Sequence, residues 1–128
     1  MGRGRQWQDG TAALWIPGRD APVPLEIAAS RGRRRRGLLG RDGIEGAMLL
    51  TPCGGVHTFR MRFTIDVAYL DRESTVVDVH TLVPGRLGRP RLRARHVLEA
   101  EGGAMAEWGV RRGVRLRVER TGPALPSG

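Results

Sequence analysis

"HTFRMRFTID", residues 57–66, is the stretch on which the reading of the fold turns. Apolar Phe59, Met61, Phe63 and Ile65 take the odd positions; Thr58, Arg60, Arg62, Thr64 and Asp66 take the even ones. A period of two puts these sets on opposite faces of a strand. The run continues into "VAYL" (67–70), apolar on both parities, which predicts a strand central in a sheet. "DRES" (71–74) reads as a turn and "TVVDVHTLV" (75–83) as the returning strand, so residues 59–83 are expected to form a hairpin.

Toward the N-terminus, "AMLL" (47–50) reads as a buried strand and "VPLEIAAS" (23–30) alternates Val23, Leu25 and Ile27 inward. Trp15 and Ile16 precede a Pro-Gly turn and suggest a further short strand. Ser30 is placed to cap a short helix running through Leu39, with Gly40 as its stop. Gly32 and Gly37 weaken that helix, and arginines near its start oppose its dipole.

Toward the C-terminus, "HVLEA" (96–100) reads as a strand, "GGAMAEWG" (102–109) as a short helix, and "VRLRVE" (114–119) as a last strand with Val114, Leu116 and Val118 inward. The expected class is mainly β: a compact small β-barrel or β-sandwich with one or two short helices. A chain of 128 residues suits one domain, expected over residues 11–119 between tails at 1–10 and 120–128.

All 22 basic residues are arginine, against 13 acids, for a net charge of +9. Residues 30–41 hold six arginines and 84–95 hold five, with no acid in either, so the positive field has two sources. Such a field favours anionic partners and raises encounter rates with them. One cysteine, Cys53, excludes an internal disulfide. No apolar stretch has the length of a secretory signal or a membrane span, so a soluble, cytoplasmic monomer is expected.

Four segments in order, "RGLLGRDGIEGAMLL", "HTFRMRFTIDVAYLD", "HVLEAEGGAMAEWG" and the strand after it, resemble the domain of unknown function 192 (DUF192), or UPF0127, family of uncharacterised bacterial and archaeal proteins. The resemblance spans residues 23–119. It rests on Gly37, Leu38, Arg41, Met48, Thr58, Asp66, Leu98, Glu99 and Gly103. It implies a small β-rich domain and carries no known activity with it.

The even face of residues 58–66 is the leading site candidate. Arg60 and Arg62 would lie about 7 Å apart along a strand and together grip a carboxylate or phosphate, unless that face simply meets solvent. With Arg41, Thr58, Asp66 and Glu99 they form the expected site for an anionic small molecule or an acidic partner segment. Arg41 and Glu99 are alternatively a structural salt bridge whose loss would cost several kcal/mol. Cys53 and His57, four apart, suggest a thiol-dependent or hydrolytic enzyme, with Asp66 as a third member. Parity sets residues 57 and 66 on opposite faces and argues against that set.

His57, His80, His96 and Asp78 have no metal-site spacing, and no cofactor is expected. The arginine segments 31–41 and 86–95 offer an alternative as a nucleic-acid or polyanion surface. With Phe59 and Phe63 turned to the core, no aromatic platform for bases is visible, so that contact is expected to be non-specific and confined to low salt. A binding module is therefore expected ahead of an enzyme.

Overall fold

The computed structural model describes residues 7–121. Along the chain run β1 (Gly10–Trp15), β2 (Val23–Ala28), α1 (Arg31–Arg36), β3 (Ala47–Leu50), β4 (Ile65–Leu70), β5 (Val76–Leu82), β6 (His96–Glu101), α2 (Ala104–Trp108) and β7 (Arg117–Arg120). The strands make one sheet in the order β5-β4-β6-β3-β2-β1-β7. Strands β2 and β3 are parallel, and the crossover between them contains α1.

The apolar runs explain the centre of this order. "AMLL", "IDVAYL" and the first five residues of β6 are buried throughout, because β3, β4 and β6 have protein on both faces. One face carries Leu49, Ala68, Leu70, Leu98 and Ala100 and is covered by α2 through Met105. The other carries Met48, Leu50, Val67, Tyr69 and Val97 and is covered by loops that supply Leu38, Met61 and Ala94. Gly46 has φ +78° where the chain enters β3, and a Cβ there would collide with the Pro24 carbonyl, so only glycine fits.

The chain is mainly β with two short helices, but the sheet is not closed into a barrel. An isolated bridge, Thr75 to Arg115, joins the start of β5 to the segment before β7. There the Leu116 N–H donates to Ser74 O at 2.9 Å and the Val76 N–H to Val114 O at 2.8 Å. Beyond this contact no pairing joins β5 and β7, which stand at opposite ends of the strand order.

The expected hairpin forms from β4 and β5, but its first strand begins at Ile65, not at 57–59. Residues 57–64 are loop apart from an isolated bridge from His57 to Leu87. Arg60 takes φ +66°, and the Met61 N–H turns back to Thr58 O at 3.1 Å. A left-handed residue in mid-run ends strand parity. Met61 accordingly packs into the loop-covered core while Phe59, read as inward, is 48% exposed.

Helix α1 is capped by Ser30 as expected but stops at Gly37 (φ +48°), one turn short of Gly40. Residues 7–10, read as tail, are packed: Trp7 meets His96 edge-on and Gly10 opens β1. Buried Asp9 accepts the Ala29 and Ser30 N–H groups at 2.6 and 2.8 Å. Burial pushes the Asp9 carboxyl up, but hydrogen bonds from Ser30 and Ala29 and the charge of Arg33 outweigh it and hold it below the usual range. At the other end β7 runs on to Arg120; residues 1–6 and 122–128 lie outside the described residues.

Candidate functional site

The six residues expected to share a site fall into separate environments. Arg41 reaches across to β2 and grips Glu26 with both nitrogens, at 2.7 and 2.8 Å. The hydrogen bond from Arg41 holds the Glu26 carboxyl below its usual value and raises the guanidinium in return. Arg41 is thus paired with Glu26 and not with Glu99. Both side chains are about 40% exposed (38% and 42%), so water screens the pair. Arg41→Ala is expected to lower the unfolding free energy by no more than about 1 kcal/mol in urea titration at pH 7, instead of the several a buried bridge would give.

Arg62 pairs at 3.2 Å with exposed Asp42, and exposed Arg60 makes no ion pair among the described residues. Thr58 is buried and ties loops together: its hydroxyl lies 2.7 Å from Val83 O and accepts the Arg86 N–H at 2.7 Å. Asp66 is on the α2-covered face. It accepts the Thr81 hydroxyl at 2.7 Å and the Gly103 and Met105 N–H groups at 2.9 and 3.0 Å. A nearby hollow of about 360 Å³, lined by Asp42, Phe63, Thr64, Thr81, Glu101 and Gly102, includes none of the six. The local pattern gave no warning, because the turn at Arg60 separates side chains that strand parity would have gathered.

Glu99 projects from β6 onto the loop-covered face, level with Met48 and Val67. It is buried and its carboxyl makes no hydrogen bond or ion pair among the described residues; burial lifts its pKa from 4.5 to about 7. Cys53, packed at the edge of the same core, gives its S–H to Gly55 O at 3.0 Å. Burial pushes that thiol up, away from a nucleophilic thiolate. His57 stacks on Phe59 at 5.2 Å, and no hydrogen bond joins it to Cys53. His80 pairs with Asp78 at 3.3 Å, which also holds Arg91, while His96 is buried elsewhere. Among the described residues no three His, Cys, Asp or Glu side chains are placed to hold a metal ion.

A broad concavity lies where β3 ends and β6 begins, between the β4–β5 turn and the approach to β7. It has a volume of about 980 Å³. Arg72, Arg95, Arg115 and Arg117 line it, all exposed, with Glu73 as the one acid. Trp7, Pro52, Leu116 and Val118 supply its apolar wall. Thr51 and His96 stand at its base with Oγ1 and Nδ1 2.7 Å apart, and burial holds the imidazole below its usual pKa. Arg115 donates to Glu73 O at 3.2 Å, and Arg117 lies 5.2 Å from the centre of the Trp15 ring. Sequence reasoning reached Arg95 as part of a basic loop. Arg72, Arg115 and Arg117 carry no local signal, since an arginine in a turn or on the outer parity of a strand is ordinary surface.

A single mixed sheet with a helix on one face and loops on the other, carrying an arginine-lined cleft at its margin, defines a small β-rich domain. Residues 14–118 match the model of DUF192, described as uncharacterized ACR, and the chain belongs to that family. It is 36% identical over 80 residues to a UPF0127 protein of Pyrococcus abyssi, covering 59% of this chain and 68% of the relative. A UPF0127 protein of Pyrococcus horikoshii is 34% identical over 84 residues, 62% and 73% of the two chains.

Two crystal structures share the fold. A protein of unknown function from Novosphingobium aromaticivorans matches with TM-score 0.72 at 19% identity, over 84% of each chain. A putative transcription regulator from Sinorhizobium meliloti matches with TM-score 0.74 at 20% identity, over 89% of this chain and 98% of that one. No described helix is long and apolar enough to cross a membrane.

Proposed function

We propose that this protein is a binding module for an anionic ligand, held in the cleft formed by Arg72, Arg95, Arg115 and Arg117. The observation that carries this reading is the concentration of four exposed arginines against one acid around a hollow of about 980 Å³. That is the upper end of the range for ligand sites. Guanidinium groups suit carboxylates and phosphates because their planar N–H forks match two oxygens at once. The adjoining apolar wall gives the non-charged part of a ligand something to bury against. The residues first expected to bind, Arg41 and Arg62, already have carboxylate partners within the chain.

The test is a thermal-shift series with citrate, inorganic triphosphate, nucleotides and acidic peptides. A ligand at a hundred times its Kd raises stability by about 2.7 kcal/mol. The expected result is a shift for at least one anion that falls away between 50 and 500 mM salt and is lost in the Arg95→Ala/Arg117→Ala double variant. Equal shifts in the double variant, or none with any anion, would remove this reading.

A further inference from the structure

The geometry points to the class of ligand: we infer that the cleft takes an acidic polypeptide segment in extended form, added as a strand along the free edge of β7. This rests on the anion-binding reading above. Strand β7 pairs with β1 along one edge, through Ala12–Arg120 to Trp15–Arg117, and is last in the strand order, so among the described residues its other edge has no partner strand. Just before β7 that outer edge is engaged: Leu116 N–H meets Ser74 O and Thr75 bridges Arg115. The two chains then part, and the cleft is the fork between them, lined by residues 72–74 on one side and 115–118 on the other. An incoming strand would continue the antiparallel pattern that the Thr75–Arg115 bridge begins. Backbone N–H and C=O groups on an open edge supply affinity, and side chains of alternate parity supply specificity.

Charge selects the occupant. Along this stretch Leu116 and Val118 are buried while Arg115 and Arg117 are exposed, with Arg72 and Arg95 opposite. A strand with carboxylates on one parity and apolar residues on the other matches both sides. A second copy of β7 brings one acid, Glu119, alongside further arginines, and so leaves most of the positive charge of the cleft unmatched. Residues 1–6, with two arginines and no acidic side chain, and residues 122–128, with no charged side chain, lack the run of carboxylates that the cleft arginines would match.

The experiment uses the full chain and an eight-residue peptide of alternating Glu and Val, acetylated and amidated, with binding followed by fluorescence anisotropy in 50 and 150 mM salt. Two further peptides carry backbone N-methyl groups on the Glu residues or on the Val residues. Strand addition turns only one parity of N–H toward β7, so one N-methylated peptide should bind at least tenfold more weakly while the other stays within about twofold of the parent. Arg115→Ala/Arg117→Ala should weaken the parent peptide at least tenfold. Equal affinity of all three peptides, or equal loss in both methylated forms, overturns strand addition. Binding of citrate or inorganic triphosphate without peptide binding overturns it too, and leaves the anion site standing. A single-stranded DNA oligonucleotide that outcompetes the peptide at 150 mM salt assigns the cleft to nucleic acid and overturns the inference. If no anion of any kind binds, both readings fall together.

Discussion

Asp66→Ala will lower the unfolding free energy by about 4 kcal/mol, with a melting temperature lower by roughly 15 °C. The size follows from what the carboxylate holds. One oxygen accepts the Thr81 hydroxyl from β5 and the other accepts two backbone N–H groups, Gly103 and Met105, at the start of α2. Alanine leaves two backbone donors and a hydroxyl without that acceptor, one of them in a buried place, and hydrogen bonds to a charged group are each worth about 1.5–3 kcal/mol. It also loosens α2, whose Met105 fills the core on that face of the sheet. Asp66→Asn keeps one acceptor oxygen and should lose about half as much. Urea titrations of the three proteins decide it; an alanine variant within 1 kcal/mol of wild type would show that α2 is held by packing alone.

Glu99 will make the protein lose stability as pH rises. Its carboxyl has a folded pKa of about 7 against 4.5 when free. Between those values the folded chain keeps a proton that the unfolded chain has released, so unfolding gives up a proton and higher pH favours the unfolded state. The group's contribution is complete below pH 4.5, declines through the window to pH 7, and is level above it. The loss amounts to about 3 kcal/mol by pH 8. Glu99→Gln removes this titrating group, so the variant should gain on wild type steadily as pH rises through this window and exceed it by about 3 kcal/mol at pH 8. That gain holds whatever the other groups, buried His96 among them, contribute to both proteins. The check is a urea titration of both proteins at pH 5, 6, 7 and 8. Parallel curves would mean that the Glu99 carboxylate is solvated in the folded chain and that the buried position matters only for packing.

These two carboxylates also mark what strand patterning can and cannot say. Both were singled out with the right neighbours in sequence and the wrong ones in space. Asp66 reads as the end of an arginine-bearing face, yet it caps the turn into α2, 37 residues further along the chain. Glu99 reads as Arg41's partner, yet Arg41 takes Glu26 because the parallel crossover from β2 to β3 brings the "GLLGR" loop back over β2. Carboxylate and guanidinium chemistry is visible in a sequence; the choice among several carboxylates is made by which strands become neighbours.

The sequence by itself determined the strand-rich class, the hairpin of β4 and β5, the Ser30 cap, the short helix after β6 and the doubly buried centre of the sheet. Each of these rests on periodicity, capping or turn chemistry within about ten residues. Only the tertiary structure decided that residues 57–64 leave strand geometry, because Thr58 is tied to residues 83 and 86 and Arg60 turns left-handed between them. It alone decided that the start of β5 meets the segment before β7 without closing a barrel. It alone gathered Arg72, Arg95, Arg115 and Arg117, drawn from three stretches of chain, around one cleft. Contacts made across such separations depend on strand order, and strand order is a property of the whole packed sheet that no local pattern encodes.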